Sequence, residues 1–258
     1  MAKIHPTALV APGARLAEDV EIGPYTIVGE HVEIGAGTTV GAHAVITGHT
    51  RIGSRNRIFQ FVSLGEIPQD KKYAGEPTRL EIGDDNTIRE FCTFNTGTVQ
   101  DRGVTTIGSH NWIMAYVHIA HDCVVGDRTI FANNASLAGH AEVGDWAILG
   151  GFVIVHQFCH IGAHAFCGMG SVITMDVPPY VTVGGHPAAA HGINSEGLQR
   201  RGFSAAVIGQ VRRAYRQLYR SGLRLEQAVA EIEGLAAATP ELRLLVDFLR
   251  TSRRGIVR

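Results

Sequence analysis

The amino-acid sequence predicts an all-β parallel β-helix followed by a C-terminal α-helical domain. Three observations lead to this fold class. Aliphatic residues recur every six positions, small or β-branched residues follow them at a fixed offset, and the apolar period becomes helical in the last quarter of the chain. We therefore expect a β-helix over residues 1–188 and a helical domain over residues 189–258.

The six-residue repeat starts at Ile4 and continues, with two interruptions, to Ile173. It comprises 26 hexads, and 23 of their lead residues are Ile, Val or Leu. Each hexad supplies one short strand and one corner, so three hexads close one coil of a triangular prism. Lead residues then point inward and stack about 4.8 Å apart along the axis. These hexads resemble those of hexapeptide-repeat proteins, and from that resemblance we expect a left-handed coil, an exception to the usual right-handed crossover.

The fifth position of each hexad is nearly always small or β-branched, which suits a tight corner. Asn56, Asn86 and Asn111 also occupy this position. Because asparagine tolerates a left-handed backbone, we expect these three residues to form sharp corners.

The four cysteines obey the same register. Cys167 is a lead residue, while Cys92, Cys123 and Cys159 occupy fifth positions. We therefore expect small core residues and not catalytic or metal-binding thiols. The cysteines form no CxxC pair, which predicts a reducing, cytoplasmic compartment.

Two stretches lose the repeat and are predicted to leave the prism as loops. Within residues 65–80 the six-residue step falls on Asp70 and Glu76, which cannot line an apolar core. The second excursion covers residues 95–106. Loops that leave a regular scaffold are where binding groups concentrate.

The C-terminal region is predicted to be helical and basic. Ser204 can cap one helix, residues 225–238 form a second amphipathic helix, and Thr239-Pro240 can begin a third. From Ser195 onward there are 12 arginines against 6 acidic residues. This excess of positive charge suits an acidic partner or phosphate groups.

The bulk charge of the chain excludes some function classes. The formal net charge is −1, which indicates neither nucleic-acid binding nor attraction to an anionic membrane. No run of about 18 apolar residues occurs, so we expect no integral membrane segment and no signal peptide.

Several histidines are spaced by about one coil of the predicted prism. His121, His140 and His156 lie 19 and 16 residues apart, and none is a lead residue. We expect these three, together with His118, on one outer edge. A neutral imidazole there can remove the proton of a sugar hydroxyl that attacks a thioester. The backbone N–H of Gly139 can stabilise the oxyanion that develops.

Two further interpretations concern the histidine neighbours. Asp122 follows His121, and its carboxylate can orient the imidazole if a corner conformation turns both side chains to the same side. His156, His160 and His164 are four residues apart, a spacing that suits a metal centre on a helix. In the hexad register these three occupy different faces of the prism, so we expect no metal site.

Six segments of the chain closely resemble the UDP-N-acetylglucosamine O-acyltransferase family, which catalyses the first step of lipid A biosynthesis. They are QDKKYAGEPTRLEIGD, HIAHDC, NNASLAGH, VHQFC, DVPPYV and INSEGLQRRGFS. The resemblance covers the whole chain, including both loops and the helical tail. It implies transfer of a 3-hydroxyacyl group from acyl carrier protein to the glucosamine 3-hydroxyl of UDP-N-acetylglucosamine.

The resemblance also implies residue roles and an assembly. His121 would be the general base, Asp122 its support and the Gly139 amide the oxyanion donor. The family is a homotrimer with each active site between two subunits. It uses no cofactor of its own, because the donor carries its phosphopantetheine on acyl carrier protein, an acidic partner for the basic tail. The positions that match the family's substrate groove are Gln69, Asp70, Lys72, His118, His140, His156, Gln157, Asn194, Glu196, Arg200 and Arg201.

Met169 and Asn95-Thr96 are informative positions within the resemblance. The family residue at the position of Met169 limits acyl length, so Met169 implies a shorter donor of the 3-hydroxydecanoyl kind, with simple gap filling as the alternative. Relatives commonly carry an arginine where this chain has Asn95-Thr96. Its absence puts in doubt any phosphate contact at position 96.

Three rival functions share parts of this pattern. A related N-acyltransferase has similar hexads but an additional N-terminal domain, for which the hexads that begin at Ile4 leave no room. A second rival is an acetyl- or succinyl-CoA transferase of the same fold. A non-catalytic scaffold or ice-binding surface would show flat rows of threonine, whereas this chain gathers His, Asp and Lys. The sequence leaves open whether the acceptor carries a 3-hydroxyl or a 3-amino group.

Overall fold

The computed structural model describes residues 1–258 and is a left-handed parallel β-helix with a C-terminal helical region, as predicted. Three sheets form the faces of a triangular prism. Sheet A contains β1 (Lys3–Ile4), β4 (Glu21–Ile22), β7 (Thr39–Val40), β10 (Arg57–Ile58), β13 (Thr87–Ile88), β16 (Trp112–Ile113), β19 (Ile130–Phe131), β22 (Ile148–Leu149), β25 (Phe166–Cys167), β27 (Val181–Gly185) and β28 (Ala188–Ile193). Sheet B contains β2 (Leu9–Val10), β5 (Ile27–Val28), β8 (Val45–Ile46), β11 (Ser63–Glu66), β14 (Thr93–Asn95), β17 (His118–Ile119), β20 (Ser136–Leu137), β23 (Ile154–Val155) and β26 (Val172–Ile173). Sheet C contains β3 (Arg15–Leu16), β6 (Glu33–Ile34), β9 (His49–Ile52), β12 (Arg79–Ile82), β15 (Val104–Ile107), β18 (Val124–Val125), β21 (Glu142–Val143) and β24 (His160–Ile161).

The lead residues of the hexads form the core, as the repeat predicts. Each pairs in parallel with the lead residue one coil away, for example Ile22 with Val40. From Ile22 to Ile173 no lead residue is more than 4% exposed. Complete burial of one such side chain stabilises the fold by about 2 kcal/mol. A stacked column of lead residues therefore adds a similar stabilisation with each coil. Ile4 is 45% exposed because the N-terminal end of the prism has no coil beneath it.

Most corners of the prism adopt a left-handed backbone at the fourth hexad position, even where the residue there carries a side chain. His43, Arg55 and His140 have φ values of 56°, 55° and 62° at such corners. The fourth residue donates its backbone N–H to the third residue of the preceding coil, as His140 does to the carbonyl of His121 at 3.0 Å. These hydrogen bonds offset the steric cost of a positive φ for residues with a Cβ.

The prediction that asparagines at fifth positions form the left-handed corners is therefore wrong. Asn56, Asn86 and Asn111 point into the prism and are at most 1% exposed. Their side chains form a ladder, in which the Asn56 Oδ1 accepts from the Asn86 backbone N–H at 2.9 Å. The Asn86 Oδ1 accepts from the Asn111 N–H at the same distance. The fifth position faces inward, so its polar side chains satisfy backbone donors of the next coil.

The four cysteines are free and buried, as their register predicts. Burial raises the pKa of Cys92 and Cys167 to about 12. Such thiols remain protonated at neutral pH and are poor nucleophiles.

Both predicted loops leave the prism from one edge. The first runs over residues 67–78, between β11 and β12, and the second over residues 96–103, between β14 and β15. Both therefore connect a strand of sheet B to a strand of sheet C. We call the corners that join these sheets the B–C edge, and name the C–A and A–B edges in the same way.

The C-terminal region starts with a hairpin. Strands β27 and β28 pair antiparallel, so the predicted division at residues 188 and 189 falls within β28. The helices are α1 (Ser195–Arg200), α2 (Ala205–Arg220), α3 (Leu225–Ala236) and α4 (Arg243–Thr251), with a 3₁₀ turn at Pro240–Leu242. Asn194 and Ser204 cap α1 and α2 with side-chain oxygens. None of the helices combines the length and apolarity needed to cross a membrane.

The interior asparagine ladder generates a stability prediction. Asn86→Ala removes the acceptor of the Asn111 N–H and the donor to the Gly108 carbonyl, both in the closed interior. We expect a loss of about 2 kcal/mol or more in the free energy of unfolding, because each buried group left unpaired costs about 1–3 kcal/mol. Urea unfolding followed by circular dichroism measures the loss.

Asp85→Asn is the matched control for that measurement. Asp85 lies at the exposed corner beside Asn86 and pairs with Arg55 in solvent. Asparagine tolerates the positive φ, and an exposed ion pair contributes at most about 1 kcal/mol. Equal losses in both variants would contradict a special role for the interior ladder.

Candidate active site

Three consecutive corners of the B–C edge carry the predicted catalytic residues. His121, Gly139 and Gln157 each occupy the third position of their hexad. Gly139 lies one coil above His121, and Gln157 lies one coil above Gly139. The stacking is close, since a Cβ at Gly139 would lie 2.5 Å from the Cε1 of His121. Only glycine fits above the His121 ring, so the ring lies directly against the Gly139 backbone.

The imidazole of His121 is paired with the carboxylate of Asp122. Its Nδ1 lies 3.0 Å from Oδ2 of Asp122, whose side chain is fully buried. Adjacent residues of an extended strand point to opposite sides, but Asp122 has a φ of 58° at its corner. The left-handed corner therefore turns both side chains to the same side, which is the conformation that the pairing requires.

Asp122 is further held by the second loop. The Thr98 backbone N–H and hydroxyl donate to its carboxylate at 3.0 and 2.6 Å. Burial raises the pKa of this carboxyl, but the hydrogen bonds from His121 and Thr98 together outweigh burial and hold the pKa below its ordinary value. Because an ionised carboxylate only accepts, Nδ1 of His121 carries the proton and its Nε2 is left as an acceptor.

The backbone N–H of Gly139 has no hydrogen-bond partner within the chain. The fourth-position N–H of His140 bonds the His121 carbonyl at 3.0 Å, whereas the Gly139 N–H donates to no protein acceptor. An unpaired N–H directly above an imidazole is suited to bind a developing oxyanion.

The other predicted histidines lie around this pair. His140 meets His121 edge to face, with ring centroids 4.9 Å apart, and stacks on Phe158 at 4.3 Å. His118 lies on the outer face of sheet B, where its Nδ1 is 2.7 Å from the Thr93 hydroxyl. Burial lowers the pKa of His118, so its imidazole is neutral near pH 7. His156 is exposed on the same edge as His121.

The first loop presents its predicted residues to solvent. Gln69 and Lys72 are exposed, and the Asp70 carboxylate accepts from the Lys72 backbone N–H at 3.0 Å. No contact within the chain joins these side chains to His121 or His140.

Asn95 and Thr96, at the start of the second loop, hold the two loops together. Asn95 donates to the Ile67 carbonyl at 2.9 Å, and the Thr96 hydroxyl lies 3.0 Å from that of Thr78. Asn95 and Thr96 are at most 4% exposed, so the side chain at position 96 is turned away from solvent.

A second set of predicted substrate residues lies on a different edge of the prism. Asn194 donates to the His164 carbonyl at 3.0 Å, and Arg201 to the Trp146 carbonyl at 2.8 Å, both on the C–A edge. Burial, followed by the charge of Arg201, lowers the pKa of His164 to about 4. Glu196 and Arg200 of α1 form an exposed ion pair nearby.

The structure therefore does not bring all predicted site residues together within one chain. Sheet C lies between the B–C edge with His121 and the C–A edge with Asn194. Met169 lies on the A–B edge, where its 81%-exposed side chain rests about 4.0 Å from a Cβ placed at Gly151.

One group of side chains has the composition of a metal site. Ligand atoms of His121, Asp122 and His140 all lie within 4.8 Å of one another. Asp122 already accepts from His121 and Thr98, and the two imidazole planes are 88° apart. These contacts favour an imidazole–carboxylate pair over a metal centre. The alternative triad of His156, His160 and His164 is spread over the B–C edge, sheet C and the C–A edge.

Sequence reasoning missed Thr98 and Asp101 of the second loop. Thr98 bonds Asp122, and the Asp101 carboxylate lies 2.7 Å from Nδ1 of His140. Both residues lie outside the hexad repeat, so no period assigned them a direction. They belong to the segment GTVQD, which gives no sign of contact with residues 24 and 39 positions further along the chain.

An imidazole–carboxylate pair beside an unpaired backbone N–H, on the edge of a hexapeptide β-helix, defines an enzyme of the hexapeptide transferase class. A family model for the bacterial transferase hexapeptide (six repeats) matches residues 105–139. A model for domain 2 of UDP-N-acetylglucosamine O-acyltransferase matches residues 176–257.

Comparisons with individual proteins narrow the class to one family. The chain is 74% identical to the acyl-[acyl-carrier-protein]–UDP-N-acetylglucosamine O-acyltransferase of Thiobacillus denitrificans and 60% identical to that of Pseudomonas entomophila, over 100% of each protein. The structure of LpxA from Acinetobacter baumannii is similar at 52% identity with a TM-score of 0.97, covering 99% of both chains. That of the Moraxella catarrhalis UDP-N-acetylglucosamine O-acyltransferase matches at 50% identity, with the same TM-score and coverage. The chain belongs to the acyl-[acyl-carrier-protein]–UDP-N-acetylglucosamine O-acyltransferase family and is an acyltransferase.

Proposed function

We propose that this enzyme transfers a 3-hydroxyacyl group from acyl carrier protein to the glucosamine 3-hydroxyl of UDP-N-acetylglucosamine, the first step of lipid A biosynthesis. The full-length similarity to enzymes of that name supports the substrates. The observation that carries the chemistry is the His121–Asp122 pair next to Gly139, whose backbone N–H has no partner within the chain.

The reaction follows from these groups. The sugar 3-hydroxyl oxygen attacks the thioester carbonyl carbon while Nε2 of His121 takes its proton. The carbonyl oxygen becomes an oxyanion, which accepts a hydrogen bond from the Gly139 N–H. The tetrahedral intermediate then breaks its C–S bond, and the imidazolium returns the proton to the leaving thiolate. The ester is formed, and the phosphopantetheine thiol leaves with its carrier protein.

Asp122 supports the base in two ways. Its hydrogen bond from Nδ1–H keeps Nε2 unprotonated and fixes the orientation of the ring. Its lowered pKa keeps the carboxylate charged at neutral pH, where it stabilises the imidazolium formed during the reaction.

The acceptor would be held by polar groups around the base. His140, His156 and Gln157 lie on the same edge as His121, and neutral His118 offers its free ring nitrogen beside them. On the first loop, exposed Gln69 and Lys72 and half-buried Asp70 supply side chains for the sugar nucleotide. These groups match the mixed polarity of a sugar diphosphate.

We infer a homotrimer with shared active sites from the separation of the two substrate-binding sets. Within one chain, sheet C separates His121 from Asn194, Glu196, Arg200 and Arg201. Packing the B–C edge of one subunit against a second subunit would complete the site with residues of two copies. Closed rings of identical subunits arise from such heterologous contacts.

The donor would dock on the basic helical region. Arg212, Arg216 and Arg220 of α2 line a cavity of about 250 Å³ together with His191 and Ser195. Arginines in this arrangement suit both the phosphate of phosphopantetheine and an acidic carrier protein. The prosthetic group belongs to the donor, and the proposed chemistry needs no cofactor on this chain. The four unpaired thiols support a cytoplasmic location.

The general base is tested by His121→Ala in an acylation assay with UDP-N-acetylglucosamine and 3-hydroxyacyl carrier proteins. We expect kcat to fall about 10³-fold, the usual contribution of a positioned base, with little change in thermal stability. A 3-amino analogue of the acceptor is assayed in parallel, since an enzyme specific for the amine would turn over only that substrate.

His31→Ala serves as the control for that variant. His31 lies on the same edge but stacks on His49, several coils from the candidate site. It should retain activity. A His121→Ala enzyme with more than a tenth of the wild-type kcat would rule out the general-base role.

Acyl-length preference is tested at Met169. We expect the native enzyme to prefer a 3-hydroxydecanoyl donor and Met169→Gly to shift the preference to longer chains, because removal of the exposed side chain opens the A–B edge above Gly151. Competition between carrier proteins loaded with chains of different length measures the ratio of kcat/KM. Met169→Leu retains the volume and should retain the preference; unchanged selectivity in Met169→Gly would refute the assignment.

A further inference from the structure

The second loop contacts the imidazole of His140 directly and reaches that of His121 through Asp122. Thr98 donates to Asp122, which pairs with His121, and three residues later Asp101 meets His140. The Asp101 carboxylate oxygen lies 2.7 Å from Nδ1 of His140. The site therefore contains two imidazole–carboxylate pairs, and the function proposed above uses only the first.

His140 is held on three sides. Its ring stacks on Phe158 with centroids 4.3 Å apart and planes 8° apart, and the His121 ring lies perpendicular to it with centroids 4.9 Å apart. Stacking fixes the plane of the ring but not which nitrogen carries the proton. The contact with Asp101 determines which nitrogen carries the proton, because an ionised carboxylate can only accept and Nδ1 must therefore donate.

Asp122 cannot take over this role. Its Oδ2 lies 3.9 Å from Nδ1 of His140, beyond hydrogen-bonding distance, and it already accepts from His121 and Thr98. Asp101 is thus the carboxylate that hydrogen bonds His140, whose side chain is only 13% exposed.

The position of Asp101 is set by the turn that carries it. The backbone N–H groups of Asp101 and Gly103 donate to the Thr98 carbonyl at 3.3 and 2.9 Å. Arg102 pairs with Glu142 on sheet C. These contacts hold the turn over the B–C edge without touching either imidazole.

We propose that Asp101 is a positioning residue that fixes His140 in the Nδ1–H tautomer, so that Nε2 accepts a hydrogen bond from a hydroxyl of the sugar acceptor. This inference rests on the proposed function for the identity of the acceptor. It assigns Asp101 to binding of the acceptor and leaves proton transfer to His121.

Steady-state kinetics of Asp101→Ala test the role in binding. We expect KM for UDP-N-acetylglucosamine to rise about 10-fold, as for loss of one charge-assisted contact, with kcat changed less than about 3-fold. Asp101→Glu should recover part of the loss. Added to His140→Ala, the Asp101→Ala substitution should have no further effect, because the two residues act through one contact.

Arg102→Ala is the matched control from the same turn. It removes an ion pair that anchors the loop but leaves the Asp101 side chain in place. It should leave KM within about 2-fold of wild type, as expected for an exposed ion pair. Equal effects of Arg102→Ala and Asp101→Ala, or additive effects of Asp101→Ala and His140→Ala, would overturn the proposal.

A measurement without substrate separates this inference from the proposed function. Nitrogen-15 NMR of labelled histidines, at a pH where His140 is neutral, should report the Nδ1–H tautomer in the native protein and in Arg102→Ala. It should report mainly the Nε2–H tautomer in Asp101→Ala. An unchanged tautomer refutes the role of Asp101, whereas a native enzyme without acyl transfer to UDP-N-acetylglucosamine refutes the proposed function alone.

Discussion

The structure depends on one constraint, the stacking of each residue on the residue of equivalent hexad position in the next coil. Parallel pairing at each face enforces it, with lead residues such as Ile22 and Val40 in register. Inward positions then form buried apolar columns, while corner positions form columns of partly or fully exposed side chains. Because a two-residue strand makes few hydrogen bonds of its own, this repetition supplies the cooperativity that the fold requires.

The same constraint creates the candidate site. His121 and Gly139 meet because they occupy the same position of successive corners, and the left-handed backbone at Asp122 turns its carboxylate toward His121. A corner conformation that closes the coil thus produces the imidazole–carboxylate pair of the candidate site. The loops add what a regular prism lacks, namely the polar partners Thr98 and Asp101.

The fold was accessible from the sequence because the hexad period is a property of every coil. The same period assigned His121, His140 and His156 to one edge, and the cysteines to the core. It did not assign a backbone conformation to each hexad position, so the asparagines were placed at corners although they lie in the interior. The Asn56 side chain accepts a hydrogen bond from the backbone N–H of Asn86 in the next coil. Such a contact depends on the neighbouring coil and cannot be read from one hexad alone.

The contacts made by the two loops could not be predicted in this way. Asp101 reaches a residue 39 positions away, and nothing periodic connects the two. Likewise, Asn194 and Arg201 were expected in the groove with His121, yet within one chain they lie on the C–A edge. Their position depends on the C-terminal hairpin and helices, and in the assembly we propose a second subunit would complete the groove.

Shared sites between subunits are the central claim, and mixed oligomers test it most directly. His121→Ala and Arg200→Ala alter different edges, and each homogeneous oligomer should have little activity. If one site takes His121 and Arg200 from different copies, co-expressed chains in equal amounts should recover about a quarter of wild-type activity, since random assembly leaves that fraction of sites intact. If the mixture is no more active than its parents, each site is formed by one chain and the account is contradicted.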